Sequence, residues 1–342
     1  MAYSTIDKAT NFFNPKLYTG TGSSLSVTGV GFSPDMVWLK SRDNTQPWGA
    51  YDTVRGATVR ASQQGLGGDT TIDGLSSFDA DGFTIGTNYQ FNTNTIKQAT
   101  WSWKAGTTSG ISGGTLTPDS YSINTTSKFG IYKWTGTGSA ATIAHGLGVV
   151  PKVIIVKRMD APENWQVYHW MLGAENYLTL NTTNASAAQT SRWNDTEPTS
   201  TVFSIGTDTS VNASGGEYFA YVWCDVPGFF TSGKYYGNYD ANGPMIYTGF
   251  RPSLIYIKCT NDTGAWLVYD NKRLGYNENQ KYLEGNSDPA ESNTYPLNIY
   301  SNGFKCKETS AGSDLNGNSD SYCWMAWGQT MVSSGNIVAT AR

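Results

Sequence analysis

The stretch "GFSPDMVWLK" at residues 31–40 returns twice in this chain, as "GVVPKVIIVK" at residues 148–157 and as "GFRPSLIYIK" at residues 249–258. In each copy a glycine and a proline precede an apolar run, and a lysine closes it. Proline fixes φ and lacks an N–H donor, which suits the start of a strand, and a short apolar run is typical of a strand buried on both faces. The motif therefore predicts the central strand of a two-layer β-sandwich, in three copies.

A wider frame repeats around this motif. At the same spacing after each proline stands a tryptophan that opens a short phrase ending in tyrosine: "WGAY", "WQVY" or "WLVY". Each copy also closes on a tryptophan, and a ring present in every copy has a role common to all of them, so we expect these residues to form the cores. The repeated frame consists of Pro34, Trp48, Tyr51, Trp103, Pro151, Trp165, Tyr168, Trp223, Pro252, Trp266, Tyr269 and Trp327.

The last segment of each copy alternates with a period of two, which is typical of a strand. These segments are "ATWSWKAG" at 99–106, "YFAYVWCD" at 218–225 and "YCWMAWGQ" at 322–329. We expect one face of each to lie in the core of its own sandwich. That face carries Ala99, Trp101 and Trp103, then Phe219, Tyr221 and Trp223, then Cys323, Met325 and Trp327.

The composition favours the same fold class. Aromatic residues make up 13% of the chain and glycine occurs 38 times, so residues that suit pleated surfaces alternate with residues that suit turns. The sequence predicts an all-β protein of three tandem β-sandwich domains, jelly-roll or lectin-like, of about 100 residues and seven to nine strands each. The expected domains are residues 1–110, 111–230 and 231–342, joined by Gly/Ser/Thr-rich links such as 105–118.

Charge and hydropathy exclude several partners. A net charge of −4 with scattered basic residues argues against a nucleic-acid partner, which would need a cationic stripe. The first residues lack the charged start and apolar core of a signal peptide, and no apolar stretch is long enough for membrane insertion. We interpret Cys224, Cys259, Cys306 and Cys323 as buried free thiols rather than as disulfide or metal ligands, since they are too few for a disulfide scaffold.

The sequence offers no constellation for catalysis. Its two histidines, His145 and His169, have no counterpart in the other copies, and no acidic pair shows the alternation of a β-sandwich glycosidase. We therefore expect no enzymatic activity and no cofactor. A calcium ion is the one weak alternative, because oxygen ligands recur at every second position of "DLNGNSD". The candidate ligands are Asp314, Asn316, Asn318 and Asp320.

Aromatic residues found in one copy only are free to serve a local purpose. Rings that stack on sugar faces beside Asn, Ser and Asp side chains are a common means of glycan binding, and packing against another domain or subunit is the alternative. The candidates for glycan or partner contact are Tyr89, Trp170, Trp193, Tyr235, Tyr236, Tyr239 and Trp324.

The first copy resembles a known repeat family. The segments 13–43 ("FNPKLYTGTGSSLSVTGVGFSPDMVWLKSRD"), 51–58 ("YDTVRGAT"), 75–86 ("LSSFDADGFTIG") and 101–106 ("WSWKAG") are similar to virion proteins of tailed, often marine, bacteriophages, and drifted copies extend the resemblance over roughly residues 12–332. The resemblance implies a tail-fibre-like surface protein of the phage particle with lectin-like sandwiches, and it carries over no catalytic residue. The second copy departs from it by replacing "YDTVRG" with "YHWMLG".

Three functions compete at this stage. The first is a compact tail fibre or tail appendage that contacts the host surface and binds a glycan or receptor there. The second is a head or tail decoration protein that binds only other virion proteins, and the third is a glycan depolymerase. For the first two we expect assembly in the host cytoplasm into a virion that holds several copies or a homo-oligomer.

Overall fold

A computed structural model describes residues 4–273, 277, 281–309 and 314–330. The described residues form 26 strands, three one-turn α-helices and one 3₁₀ turn, Ala9–Asn11. All pairings between the named strands are antiparallel, so the predicted all-β class is confirmed. None of the described helices is long and apolar enough to cross a membrane.

The first unit, whose strands lie between Phe13 and Trp103, contains one large and one small sheet. The large sheet has the order β1-β9-β3-β4-β5-β6 and the small sheet the order β2-β8-β7. The elements are β1 (Phe13–Thr19), β2 (Leu25–Thr28), β3 (Met36–Ser41), β4 (Gly49–Asp52), β5 (Gly56–Ala61), β6 (Thr70–Thr71), β7 (Leu75–Asp79), β8 (Gly82–Ile85), α1 (Tyr89–Asn92) and β9 (Lys97–Trp103).

The second unit, residues 111–230, repeats this plan. Its large sheet has the order β10-β11-β18-β13-β14-β15-β16, and β12 pairs with β17 in the small sheet. The elements are β10 (Ser120–Asn124), β11 (Phe129–Thr135), β12 (Ala141–Ala144), β13 (Pro151–Arg158), β14 (Gln166–His169), β15 (Asn176–Thr179), β16 (Ala187–Ala188), α2 (Thr190–Trp193), β17 (Val202–Ile205), α3 (Thr209–Asn212) and β18 (Glu217–Cys224).

The third unit follows the same order of sheets, and its first strand begins at Phe230. The large sheet is β19-β26-β21-β22-β23 and the small sheet is β20-β25-β24. The strands are β19 (Phe230–Tyr236), β20 (Met245–Tyr247), β21 (Phe250–Cys259), β22 (Trp266–Asp270), β23 (Tyr282–Glu284), β24 (Leu297–Tyr300), β25 (Gly303–Cys306) and β26 (Ser321–Thr330).

The motif that opens the sequence forms an interior strand of each large sheet, as predicted. β3 lies between β9 and β4, β13 between β18 and β14, and β21 between β26 and β22. Every residue of β3 is buried. Pro151 and Pro252 lie in their strands where the register with the partner shifts, and such an irregularity tolerates a residue that lacks an N–H donor.

Each unit has an apolar core between its two sheets. In the first unit Leu39 and Tyr51 of the large sheet pack with Val27 and Phe83 of the small sheet, and the other units have equivalent clusters. The twelve residues of the repeated frame are all buried.

The units also share a fourth core, so the prediction that the alternating face of each closing strand lies in the core of its own sandwich is wrong. The alternating face of β9, β18 and β26 points away from its own small sheet and into a cluster formed by all three units. At its centre the rings of Trp103, Trp223 and Trp327 lie 5.4 to 6.3 Å apart in each pairing. The units therefore pack around one pseudo-threefold axis and do not stand in a row.

The repeated tryptophan of each phrase closes this ring. Its indole N–H donates to a backbone carbonyl of another unit, from the first unit to the third, the second to the first and the third to the second. The bonds join Trp48 to Glu284 (2.8 Å) and Ser287 (3.1 Å), Trp165 to Ser62 (3.0 Å), and Trp266 to Thr179 (2.9 Å).

The lysine that ends the opening motif makes the same connection. Its ammonium group donates to carbonyl oxygens of the same neighbouring unit as well as to its own. Between units the bonds join Lys40 to Asp288 (3.1 Å) and Pro289 (2.9 Å), Lys157 to Leu66 (3.0 Å), and Lys258 to Thr183 (3.1 Å). Burial lowers the pKa of Lys40 to about 7 and that of Lys157 to about 8. The lysine thus recurs because it joins units.

Candidate contact surface

Four of the seven single-copy aromatic residues are exposed and three are buried. Tyr89 and Tyr236 are each 63% exposed, Tyr239 is 45% exposed and Trp170 is 36% exposed. The structure thus leaves four of the predicted contact rings on the surface.

The three buried rings belong to unit cores. Trp193 packs edge-on against Tyr168, Tyr235 stacks on Tyr322 at 4.9 Å, and Trp324 packs edge-on against Phe304. Tyr235 is not confined to one copy, because Tyr18 and Trp134 pair with the closing strands at the equivalent position. Trp193 and Trp324 show that a ring found in one copy only can fill a core. We do not include Trp193, Tyr235 or Trp324 in the contact surface.

Trp170 is held where the second unit meets the third. It follows β14, its backbone N–H donates to the carbonyl of Lys152 (3.0 Å), and its indole N–H donates to Ser232 Oγ (3.1 Å). The Lys152 ammonium lies 3.8 Å from the ring centroid. Val150 and Met171, at the same end of the β13–β14 pair, are 39% and 37% exposed. We call Val150, Trp170 and Met171 the apolar patch.

The equivalent positions of the third unit have different chemistry. Counted from the repeated proline and tyrosine, Arg251 replaces Val150, Asn271 replaces Trp170 and Lys272 replaces Met171. Where Trp170 fills the space against the neighbouring unit, the smaller Asn271 leaves a cavity of about 270 Å³ between the third and first units. We call it the cationic groove, lined by Thr10, Asn14, Pro15, Arg251, Ser253, Asn271, Lys272 and Gln329.

Two exposed apolar side chains on the third small sheet were not predicted from the sequence. Met245 and Tyr247 alternate with the buried Ile246 along β20, an edge strand, and Tyr247 is 62% exposed. The first unit has Ser26 and Thr28 on the equivalent face. The alternation was the available signal, but three residues are too few to reveal it.

Asn316 of the calcium candidates is a buried hydrogen-bonding residue. Its amide N–H group donates to Asn238 Oδ1 (3.2 Å) and to the carbonyl of Asp240 (3.1 Å), and its Oδ1 accepts from the Asn238 N–H (3.0 Å). Asp314 is partly buried, and burial raises the pKa of its carboxyl group. Asp320 accepts from Asn261 (3.3 Å), and Asn318 is exposed.

The role of Asn316 recurs in the other units. Asn92 and Asn212 likewise use their side chains to connect the loops before the closing strands, and both are fully buried. Within the described ranges there is no group of three or more His, Cys, Asp or Glu residues that could hold a metal ion. Asn316 thus has an equivalent in each of the other two units, and this shared structural role accounts for its place in the sequence.

Three units of the same plan pack around one shared core, and the comparison with known families concerns this whole assembly. A family model described as a domain of unknown function, DUF7483, matches residues 8–330. The chain belongs to this family. No curated protein and no solved structure matches it. The family match spans all three units together, as the shared core does.

The phrase that departs in the second unit forms a buried ion pair in the other two. Asp52 accepts from Arg55 Nε (2.7 Å) and Asp270 from Arg273 Nε (2.6 Å). Arg55 also donates to Tyr221 Oη of the second unit (3.0 Å). These pairs are enclosed in the contact between units, so they connect units rather than face a substrate.

The second unit replaces the ion pair with His169 and Leu172. His169 is buried, with its Nε2 3.1 Å from the carbonyl oxygen of Trp324 in the third unit, and burial lowers its pKa to about 4. His145 lies 3.1 Å from the Thr199 carbonyl oxygen, and burial lowers its pKa as well. Both histidines are enclosed by backbone.

The four cysteines are buried free thiols.

Proposed function

We propose that the chain is a non-enzymatic structural protein of a tailed-phage virion, a compact tail appendage that contacts the host surface. The carrying observation is the closed ring of three units, which forms one stiff body with single-copy aromatic groups exposed on its rim. The resemblance of the sequence to phage virion proteins is the reason for assigning the chain to a phage particle. A stiff body suits a contact protein because little conformational freedom is lost on binding.

A cryo-EM map of the intact particle tests the location. We expect density for the chain at the tail periphery, with the apolar patch facing outward. Density within the capsid lattice, with the patch covered by neighbouring proteins, would replace the tail appendage with a decoration protein.

An adsorption assay tests the contact itself. Trp170→Ala on the particle is expected to slow adsorption to the host at least about tenfold, the loss of a central aromatic contact residue. Leu66→Ala removes an apolar group that is 52% exposed on the first unit and is the matched control. Equal adsorption by the two variants would contradict host contact through the patch.

A decoration protein is the second candidate, and the apolar patch itself favours it. A tryptophan flanked by valine and methionine is typical of the centre of a protein–protein interface. Under this hypothesis the purified chain binds particles that lack it and does not bind host cells.

A further inference from the structure

The cationic groove between the third and first units has the features of a binding site. Two positively charged side chains, Arg251 and Lys272, line it together with amide and hydroxyl groups. None of its eight described lining residues is acidic. Its volume of about 270 Å³ lies close to the lower end of the usual range of about 300–1,000 Å³ for ligand pockets. The space therefore suits one small polar ligand.

The charge of the groove is not neutralised by the protein. Ion pairs within the described residues use Arg273 and Lys281 nearby in the sequence, but none involves Arg251 or Lys272. Arg251 Nε is enclosed without a hydrogen-bond partner in the described part of the chain. A guanidinium group that is partly removed from water and unpaired favours an anion, and a carboxylate matches its planar geometry best.

The remaining lining groups suit hydroxyl groups on the same ligand. Asn271 Nδ2 lies 3.2 Å from Ser253 Oγ, and Asn271 Oδ1 has no hydrogen-bond partner among the described residues. Asn271 Oδ1 is enclosed by the lining, so the hydroxyl groups of Thr10 and Ser253 are the ones that exchange hydrogen bonds with a ligand hydroxyl group. Thr10 and Asn14 extend the polar lining from the first unit.

Comparison between units argues that the groove is a specific feature. The ring fold places an equivalent space where the second unit meets the third, and there Trp170 occupies it and bonds to Ser232. Pro15 stands in the first unit where Ser232 stands in the third. The third unit thus has both the open space and the two cations at the same junction.

We propose that the cationic groove binds the carboxylate of an acidic sugar, a uronic acid residue of a glycan. Arg251 and Lys272 hold the carboxylate, and the hydroxyl groups of Thr10 and Ser253 exchange hydrogen bonds with ring hydroxyl groups. The inference rests on the proposed function, since it names the glycan class that a host-contacting appendage would recognise.

Titration of the purified full chain with sodium glucuronate tests the proposal, followed by calorimetry or ligand-observed NMR. We expect saturable binding that is at least about tenfold tighter than for glucose, which lacks the carboxylate. Arg251→Gln and Asn271→Trp, which places in the groove the ring that the second unit has, are each expected to weaken it at least about tenfold. Lys97→Gln removes an exposed charge from another part of the first unit and is expected to leave binding unchanged.

Several outcomes would overturn the site. They are an absence of saturable binding, equal binding of glucose and glucuronate, binding that the groove variants leave intact, and inorganic phosphate that binds as tightly as glucuronate. If Arg251→Gln does not fold, Lys272→Gln tests the site instead, because Lys272 is exposed and its substitution should not disturb folding. If glucuronate does not bind, the proposed tail location is unaffected. If the cryo-EM density lies on the capsid, the titration result is unaffected, so the two proposals can be contradicted separately.

Discussion

Trp103, Trp223 and Trp327 come from three units and meet at one point of the molecule. Each ring is enclosed by the other two units as well as by its own sheet. The free energy gained by burying it therefore depends on all three units being in place. Trp48 also depends on a second unit, because its indole N–H donates to carbonyl oxygens of the third unit. At the scale of single residues, the repeated tryptophans stabilise the contact between units, whereas the repeated tyrosines lie in the cores of single units.

Trp223→Ala is expected to lower the free energy of unfolding by about 3–5 kcal/mol, because it removes a buried ring and leaves a cavity at the axis. Urea denaturation followed by circular dichroism measures it. Tyr89→Ala removes a ring that is 63% exposed and is the control, with an expected loss of about 1 kcal/mol or less. Similar losses for the two variants would contradict the central position of Trp223.

His169 is expected to make stability depend on pH between about 6.5 and 4. Because its folded pKa is lowered to about 4, the unfolded chain binds more protons in this window. Its stabilisation is complete above pH 6.5 and is lost as the pH falls towards 4, by up to about 3 kcal/mol.

The measurement compares His169→Gln, which does not titrate, with the unchanged chain at pH 7 and pH 4.5. The variant is expected to lose less stability on acidification. An equal loss in both proteins would show that His169 is accessible to protons in the folded state.

At the scale of elements, the corner at the end of β4, β14 and β22 connects neighbouring units by two kinds of chemistry. After β4 and β22 it is a buried Asp–Arg pair, and after β14 it is His169 with Leu172. A buried ion pair recovers its desolvation cost only while both partners are present, whereas the second corner carries no charge when His169 is neutral. The two corners are alternative solutions at equivalent positions.

Arg55→Leu is therefore expected to cost about 3–5 kcal/mol, since Asp52 would keep its hydrogen bonds from Tyr221 and the backbone but would lose the cation that balances its buried charge. The double variant Asp52→His with Arg55→Leu installs the residues of the second unit and is expected to cost less than the single variant. Thermal denaturation of both proteins measures the difference. A double variant less stable than Arg55→Leu would show that the carboxylate is held by groups other than the arginine.

At the scale of the whole molecule, the shared core couples the three units. Each unit contributes one face of its large sheet to that core, so no unit can unfold without exposing apolar surface of the other two. Cooperative unfolding follows where such contacts are extensive.

Differential scanning calorimetry is expected to show a single transition whose calorimetric and van't Hoff enthalpies agree. Trp223→Ala is expected to shift the whole transition to lower temperature. Three separable transitions, or a shift of only part of the heat absorption, would mean that the units fold independently.

Much of the fold could be predicted because the signals were local. The all-β class, the interior strands at 31–40, 148–157 and 249–258, and the buried frame follow from composition, periodicity and repetition. The role of Lys40 could not be predicted, because a lysine that ends a strand is ordinarily solvated and its partners are carbonyls of the third unit.

The exposure of the candidate contact residues was predicted only in part. Trp170 was found because it is unique to one copy, but the same criterion selected Trp193, which is buried. Arg251 and Lys272 carried no signal of their own, since scattered basic residues are ordinary on a surface. The groove is evident only when Asn271 is seen to occupy the space that Trp170 fills in the second unit.

The sequence by itself determined the strands, the threefold repetition and the residues that must be buried, because hydrophobic periodicity and turn chemistry act over neighbouring residues. Only the tertiary structure decided which face of each closing strand meets which core, since alternation defines two faces and does not say what covers them. It also decided where exposed chemistry collects, because the cationic groove joins residues of the first and third units that are far apart in the chain.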